Sequence, residues 1–120
     1  MIQPAVEPAR SSRVDFLFYA LGDPNRRRMV SRLADGPASV SELAAALAVS
    51  KTAIGQHLAV LEEAQLARST KVGRVRTCEF DAAGLAPLQV WIDYHRQEWS
   101  ERLNRLDDLV SAIVSKEDCA

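Results

Sequence analysis

From Arg13 the chain reads as helix: Val14, Leu17, Phe18 and Leu21 recur three and four positions apart, the period of a helix lying on a core. Gly22 closes it. Asp23-Pro24 opens a second helix with a capping carboxylate followed by a proline at the first turn. Met29, Val30 and Leu33 form the apolar stripe of that helix, and Gly36-Pro37 stops it. Ser39-Val40-Ser41-Glu42 is a capping box, in which Ser39 and Glu42 each satisfy a free backbone N–H; a short alanine-rich helix burying Leu43 and Leu47 follows. After the brief turn Ala48-Val49-Ser50, the next helix runs to about Leu66, with Ile54, Leu58 and Leu61 inward and Lys51, Thr52, Gln56 and Ala59 outward. Two short helices across so tight a turn predict a helix-turn-helix.

Beyond Leu66 the period changes. Ala67 to Lys71 and Val75 to Phe80 are short runs rich in Val and Thr, separated by Val72-Gly73-Arg74, which predicts a β-hairpin with glycine at its tip: a wing. A last, long helix starts near Asp81, restarts at Pro87 and runs to about Ser115. Along it Leu88, Ile92, His95, Trp99, Leu103, Leu106, Val110 and Ile113 step by three and four. That row is longer than one winged domain needs, so it predicts a homodimer through this helix, with Trp91 and the segment from Phe16 to Tyr19 contributing. The expected fold is therefore mainly α with a small β-hairpin wing. A loose arm spans 1–12, the winged domain with its dimerisation helix 13–115, and a tail 116–120.

Composition adds limits. The chain has 120 residues, 48% hydrophobic and 26% charged, which suits one soluble domain. Its longest apolar run, Leu43 to Val49, is too short for a bilayer, and Pro4, Glu7 and Pro8 interrupt any export signal. No membrane partner is expected. Cys78 and Cys119 form no C-x-x-C pair, which argues against a disulfide scaffold or common zinc module and fits the cytoplasm.

The net charge of −1 conceals a division. Residues 24–80 carry nine basic and five acidic side chains, whereas residues 81–120 carry four and eight. The basic middle, which contains the helix-turn-helix and the wing, is suited to an anionic partner.

Double-stranded DNA is that partner if the second helix enters the major groove with its N-terminal residues toward the bases. Lys51 can donate to guanine, Gln56 can pair with adenine through both amide atoms, and the Thr52 methyl can meet a thymine methyl. Gly55 lets a backbone approach. His57, at the edge between the inner and outer faces, suits a phosphate contact or a local structural hydrogen bond. Lys71, Arg74 and Arg76 on the wing suit phosphate or minor-groove contact, with Arg68 at its base. No nucleophile–base pair or paired acids stands at catalytic spacing, so no enzyme is expected.

These pieces resemble the ArsR/SmtB family of small dimeric bacterial repressors, over roughly residues 14–110. Ala20-Leu21-Gly22-Asp23-Pro24-Asn25-Arg26-Arg27-Arg28 is similar to the family's opening signature, and Ser39 to Leu43 with Val49-Ser50 to its helix-turn-helix. The run from Ala53 through Gln56-His57-Leu58 to Glu62 is similar to its recognition helix, and Val72-Gly73-Arg74 to its glycine-arginine wing. The resemblance implies DNA contact by Ser50, Lys51, Thr52, Gln56, His57 and Arg74, with Arg26 in a structural or phosphate role. Gly55 departs from the family's usual serine or threonine.

The same resemblance bears on metal sensing. Residues 40–47 hold no cysteine pair. Asp93-Tyr94-His95 supplies the first half of an acid-x-His site on the last helix, but Leu106 and Leu109 stand where the second half belongs. Asp93 and His95 thus remain the only metal candidates, and no metal or cofactor is required. Trp91, Tyr94 and Trp99 resemble an aromatic branch of the family and leave room for a small-molecule effector, although dimer packing explains them more simply. The expected function is a DNA-binding repressor acting as a homodimer on an inverted repeat. The alternatives are a metal-responsive repressor using Asp93 and His95, and a dimeric protein-interaction module without DNA binding.

Overall fold

A computed structural model describes residues 8–119, with side chains from 13 to 115. The elements are α1 (Pro8–Gly22), α2 (Pro24–Ala34), β1 (Ala38–Ser39), α3 (Val40–Leu47), α4 (Lys51–Glu63), β2 (Ala67–Val72), β3 (Val75–Phe80), a single 3-10 turn (Ala82–Leu85) and α5 (Ala86–Cys119). They fall into two compact units, one ending at Leu88 and the other beginning at Gln89. Residues 1–7 of the expected arm lie outside the described residues. The helix expected from Arg13 begins at Pro8.

The caps read from the sequence are formed. Asp23 accepts from the Asn25 and Arg26 N–H groups at 2.8 and 3.1 Å and starts α2. Ser39 Oγ accepts from Glu42 N–H at 3.0 Å while Glu42 accepts from Ser39 N–H at 2.9 Å, closing the capping box of α3. Ser50 Oγ accepts from Ala53 N–H at 3.1 Å and starts α4.

The ends of α3 and α4 share a geometry that the sequence does not advertise. Val49 N–H returns to Ala44 O, and Leu66 N–H to Leu61 O, each bond closing a turn around a residue with positive φ. Those residues are Ala48 (φ 59°) and Gln65 (φ 61°), where glycine is the usual occupant. This turn ends α4 at Glu63, three residues earlier than expected. The Gln65 carbonyl lies so close to Gly84 that a Cβ there would run into it, which locks the 3-10 turn beneath α4.

Leu17, Met29, Leu43, Ile54, Leu58, Leu61, Leu66 and Cys78 are fully buried and form the centre of the first unit's core. The hairpin pairs Ala67 with Phe80 and Val72 with Val75. Gly73 alone takes positive φ (62°) in its two-residue turn, the pattern of a type II′ hairpin that suits the native strand twist. A third strand was not anticipated: β1 pairs with β3 through Ala38–Cys78 and Ser39–Thr77, giving the sheet order β1-β3-β2. It ties the start of α3 to the base of the wing.

In the second unit, α5 carries Ile92, Trp99, Leu103, Leu106, Val110 and Ile113 exposed within the single chain. Leu88 is a correction to the expected seam. At 9% exposure it belongs to the first unit's core, because α5 starts inside that unit before its apolar row emerges.

Candidate nucleic-acid interface

The N-terminal half of α4, the start of α3 and the wing enclose one open groove of about 580 Å³. It is lined by Ser39, Val40, Ser41, Lys51, Gly55, Lys71, Arg74, Val75 and Arg76. Two segments, the start of α4 and the wing, thus place Lys51, Lys71 and Arg74 around one concavity. Lys51 and Thr52 are the first two residues of α4, whose N-terminal backbone N–H groups and dipole also favour an anion. Gln56 lies exposed on the same helix one turn later. Ser50 already uses an oxygen lone pair as N-cap, but its O–H remains a donor for a phosphate oxygen.

Gly55 sits mid-helix with nothing within 4 Å of where a Cβ would be. The fold therefore does not need a glycine there.

The remaining predicted residues have more particular surroundings. His57 is half-buried and turned to α2, with Arg26 Nη1 donating to its Nδ1 at 3.2 Å. Arg76 is held by the body of the protein: its Nη2 pairs with Glu62 Oε1 at 3.0 Å and its Nε donates to Ser69 Oγ at 3.0 Å. Ser69 in turn donates to Glu62 Oε2 at 3.0 Å. Its first role is thus to fasten the wing to α4, leaving Lys71 and Arg74 as the wing's outward cations. Arg68 bridges toward Glu79 at 3.7 Å and Asp81 at 4.0 Å. Sequence reasoning missed Ser41, exposed at the second position of α3, and the exposed Val72–Val75 pair at the wing tip. The outward stagger of a capped helix start was a usable signal for Ser41; the tip valines read simply as strand.

Arg26 is the one buried charged residue among those described, at 8% exposure. Its Nε donates to Ala20 O at 2.6 Å and its Nη2 to Tyr19 O at 3.1 Å, so it satisfies carbonyls at the end of α1. The guanidinium also lies 5.1 Å over the Tyr19 ring, while Tyr19 packs 5.6 Å from the Phe16 ring. Burial pushes the Asp23 carboxyl up, but the N–H bonds from Arg26 and Asn25, helped by the charge of Arg26, bring it below the ordinary value. Burial pushes the Cys78 thiol up, which keeps it protonated and inert.

On α5, His95 packs edge-on to Trp91 at 4.2 Å and 5.8 Å from Trp99. Asp93 Oδ1 instead accepts from Gln89 and pairs with Arg96, both at 2.9 Å. The two metal candidates are thus engaged on separate partners, and no group of three potential ligands occurs among the described residues.

This is a winged helix-turn-helix in which Lys51 of the recognition helix faces one groove with Lys71 and Arg74 of the wing, the architecture of a DNA-binding regulator. The family model described as "Bacterial regulatory protein, arsR family" matches residues 23–69. The chain is 39% identical to the HTH-type transcriptional regulator Rv2034 of Mycobacterium tuberculosis, over 82% of this chain and 89% of that protein. It also superposes on the crystal structure of the ArsR family transcriptional regulator RHA00566 with a TM-score of 0.70 at 32% identity, covering 83% of this chain and 97% of that one. A more distant structure is the homodimeric winged helix-turn-helix DNA-binding domain of Mb0332 from Mycobacterium bovis. It matches with a TM-score of 0.64 at 21% identity over 83% and 93% of the two chains, and shares the fold. The protein belongs to the arsR family of bacterial regulatory proteins and is a transcriptional regulator.

Proposed function

We propose that the protein is a cytoplasmic repressor that binds an inverted-repeat operator as a homodimer and needs no metal to do so. The observation that carries this reading is the groove joining Lys51, Lys71 and Arg74. Lys51, Thr52 and Gln56 read base edges in the major groove, while Ser50, Lys71 and Arg74 hold phosphates. His57 supports the helix through Arg26 and offers its second ring nitrogen to the backbone of the DNA. Two recognition helices related by a two-fold axis would meet half-sites about 34 Å apart, which is why the operator is an inverted repeat. The exposed apolar row of α5 supports pairing of two chains, with Phe16 and Tyr19 on α1 as a second contribution. The homodimeric state of the Mycobacterium bovis domain is in keeping with this. Occupation of a promoter then blocks transcription by exclusion, with no chemical step. The aromatic group of Trp91, Tyr94, His95 and Trp99 supports either the seam or an effector of small aromatic character.

The test is fluorescence anisotropy on DNA from upstream of the protein's own gene, beside a random duplex, at two salt concentrations without added metal. Tight, salt-sensitive and selective binding is the expected result. Absence of binding to either duplex at low salt would favour the protein-interaction alternative.

A further inference from the structure

A second basic surface lies at the opposite end of α3 from the groove. Pro24, Arg27, Arg28, Ser31 and Arg32 of α2, with Ala46 and Leu47 of α3, line a shallow concavity of about 490 Å³. Its three guanidinium groups are held by neutral acceptors. Arg27 Nη1 donates to Leu21 O at 2.8 Å, Arg32 Nη1 to Gly36 O at 3.1 Å, and Arg28 Nη1 to Asn25 Oδ1 at 3.2 Å and Leu47 O at 3.4 Å. Among the described residues, no carboxylate pairs with any of the three within 4.0 Å. Glu42, whose carboxyl feels the charge of Arg32, is instead tied to Ser39 in the capping box. The patch therefore keeps three positive charges, and backbone carbonyls hold them in place before any partner arrives. A guanidinium bonded through one nitrogen still has other N–H groups to offer. Such an array suits a row of phosphates.

The position of the patch points to which phosphates. Val40 at the start of α3 lines the groove and Leu47 at its end lines the patch, so the two basic surfaces lie at opposite ends of one helix. At a rise of about 1.5 Å per residue those ends stand about 10 Å apart, comparable to the roughly 12 Å width of the major groove that the recognition helix would occupy. We infer that Arg27, Arg28 and Arg32 form a second phosphate clamp, gripping the DNA strand on the groove wall opposite the one held by Lys71 and Arg74. The inference rests on the DNA-binding reading above and extends its footprint beyond the helix and the wing.

Because phosphate binding needs no operator, the full-length protein can be titrated on a random duplex of about 30 base pairs from roughly 50 to 200 mM salt. Arg27→Gln/Arg28→Gln should lower the slope of log affinity against log salt by about 1.8, two contacts at about 0.9 each. Over that fourfold range the wild type would then lose about twelvefold more affinity than the variant. Arg27→Lys/Arg28→Lys keeps both charges and should keep the slope. Should the double glutamine variant fail to fold, each single variant is expected to lower the slope by about 0.9. An unchanged slope in the glutamine variants, beside a lowered one in Arg74→Ala, overturns the second clamp while leaving DNA binding intact. Wild-type protein that binds neither this duplex nor its own upstream DNA overturns both readings.

Discussion

Arg26 Nη1 stands 3.2 Å from His57 Nδ1, and the direction of that hydrogen bond is fixed by chemistry. A guanidinium has no acceptor, so Nδ1 must accept and the proton of the neutral imidazole must sit on Nε2. One buried side chain thereby connects the carbonyl end of α1 to a residue of the recognition helix. Arg26→Ala would leave the Tyr19 and Ala20 carbonyls and the His57 nitrogen without this donor. The expected loss is about 3 kcal/mol of unfolding free energy and, for a domain of this size, a Tm lower by roughly 10 °C. Denaturation curves check the first part, and the 15N shifts of His57 check the tautomer. Wild-type stability in Arg26→Ala would mean that the bonds contribute little.

Asp23 gives the protein a predictable acid limb. Its carboxyl lies below the ordinary value in the folded chain, against the opposing effect of burial, because the Arg26 and Asn25 N–H groups bond to its charged form. A group with a depressed folded value contributes stability above its unfolded value, and that contribution disappears as pH falls through the folded one. Glu42 behaves likewise, held down first by the Ser39 N–H and then by its hydroxyl. Asp23→Asn retains a capping oxygen but no titration. Stability near neutrality should fall in this variant by the contribution of the ionised carboxylate, and the decline below about pH 4 should become shallower. Parallel acid-side curves for the two proteins would remove Asp23 as a source of that decline.

Gly55 separates folding from function. A mid-helix glycine costs about 0.5–1 kcal/mol relative to alanine, and its Cβ position is open. Gly55→Ala should therefore raise stability by about that amount. Because the new methyl would project into the groove shared with Lys51 and Arg74, DNA affinity should fall. Thermal melts and DNA titration of one preparation measure both. A variant that gains stability and binds as tightly as wild type would show that DNA stays clear of this part of the helix.

What local chemistry specifies was legible from the residues. The Ser39–Glu42 box, the Asp23 and Ser50 caps, the inward Ile54-Leu58-Leu61 stripe and the glycine-tipped hairpin each lie within a few positions of sequence, and all are formed. The misreadings concern longer-range partners. Two residues cannot display a strand period, and β1 exists because Ala38 meets Cys78, forty positions away. Leu88 continues the spacing of the α5 row, but spacing alone does not say which apolar surface claims a residue. The link of Arg76 to Glu62 was not legible either, because it closes only when the hairpin folds back on α4. The positive-φ turns at Ala48 and Gln65 lacked the glycine that would have announced them.

The two wing arginines should consequently differ. Arg74→Ala removes an outward charge at the turn and should lower the salt slope of DNA binding by about 0.9, with stability within about 0.5 kcal/mol of wild type. Arg76→Ala breaks the partly exposed bridge to Glu62 and should cost up to about 1 kcal/mol of stability. Its effect on the slope should be smaller. Equal slopes in the two variants would return Arg76 to direct phosphate contact.

The α5 row makes the final prediction, that of assembly. Ile92, His95, Trp99, Leu103, Leu106, Val110 and Ile113 follow one another at spacings of three or four, as on a helix that packs against another along a seam. In one chain Leu106 is 55% exposed and Leu103 61%, too much contiguous apolar surface to leave in water. Leu106→Glu puts a carboxylate in the middle of that seam, where pairing would bury two like charges. The variant should sediment as a monomer at concentrations where wild type is a dimer. The two linked half-site contacts would then become independent, so operator affinity should fall by at least about 100-fold. Binding to an isolated half-site should be nearly unchanged, since the groove residues belong to the other unit. A dimeric Leu106→Glu variant would place the seam on another face, whereas a monomer that keeps full operator affinity would separate DNA recognition from dimerisation.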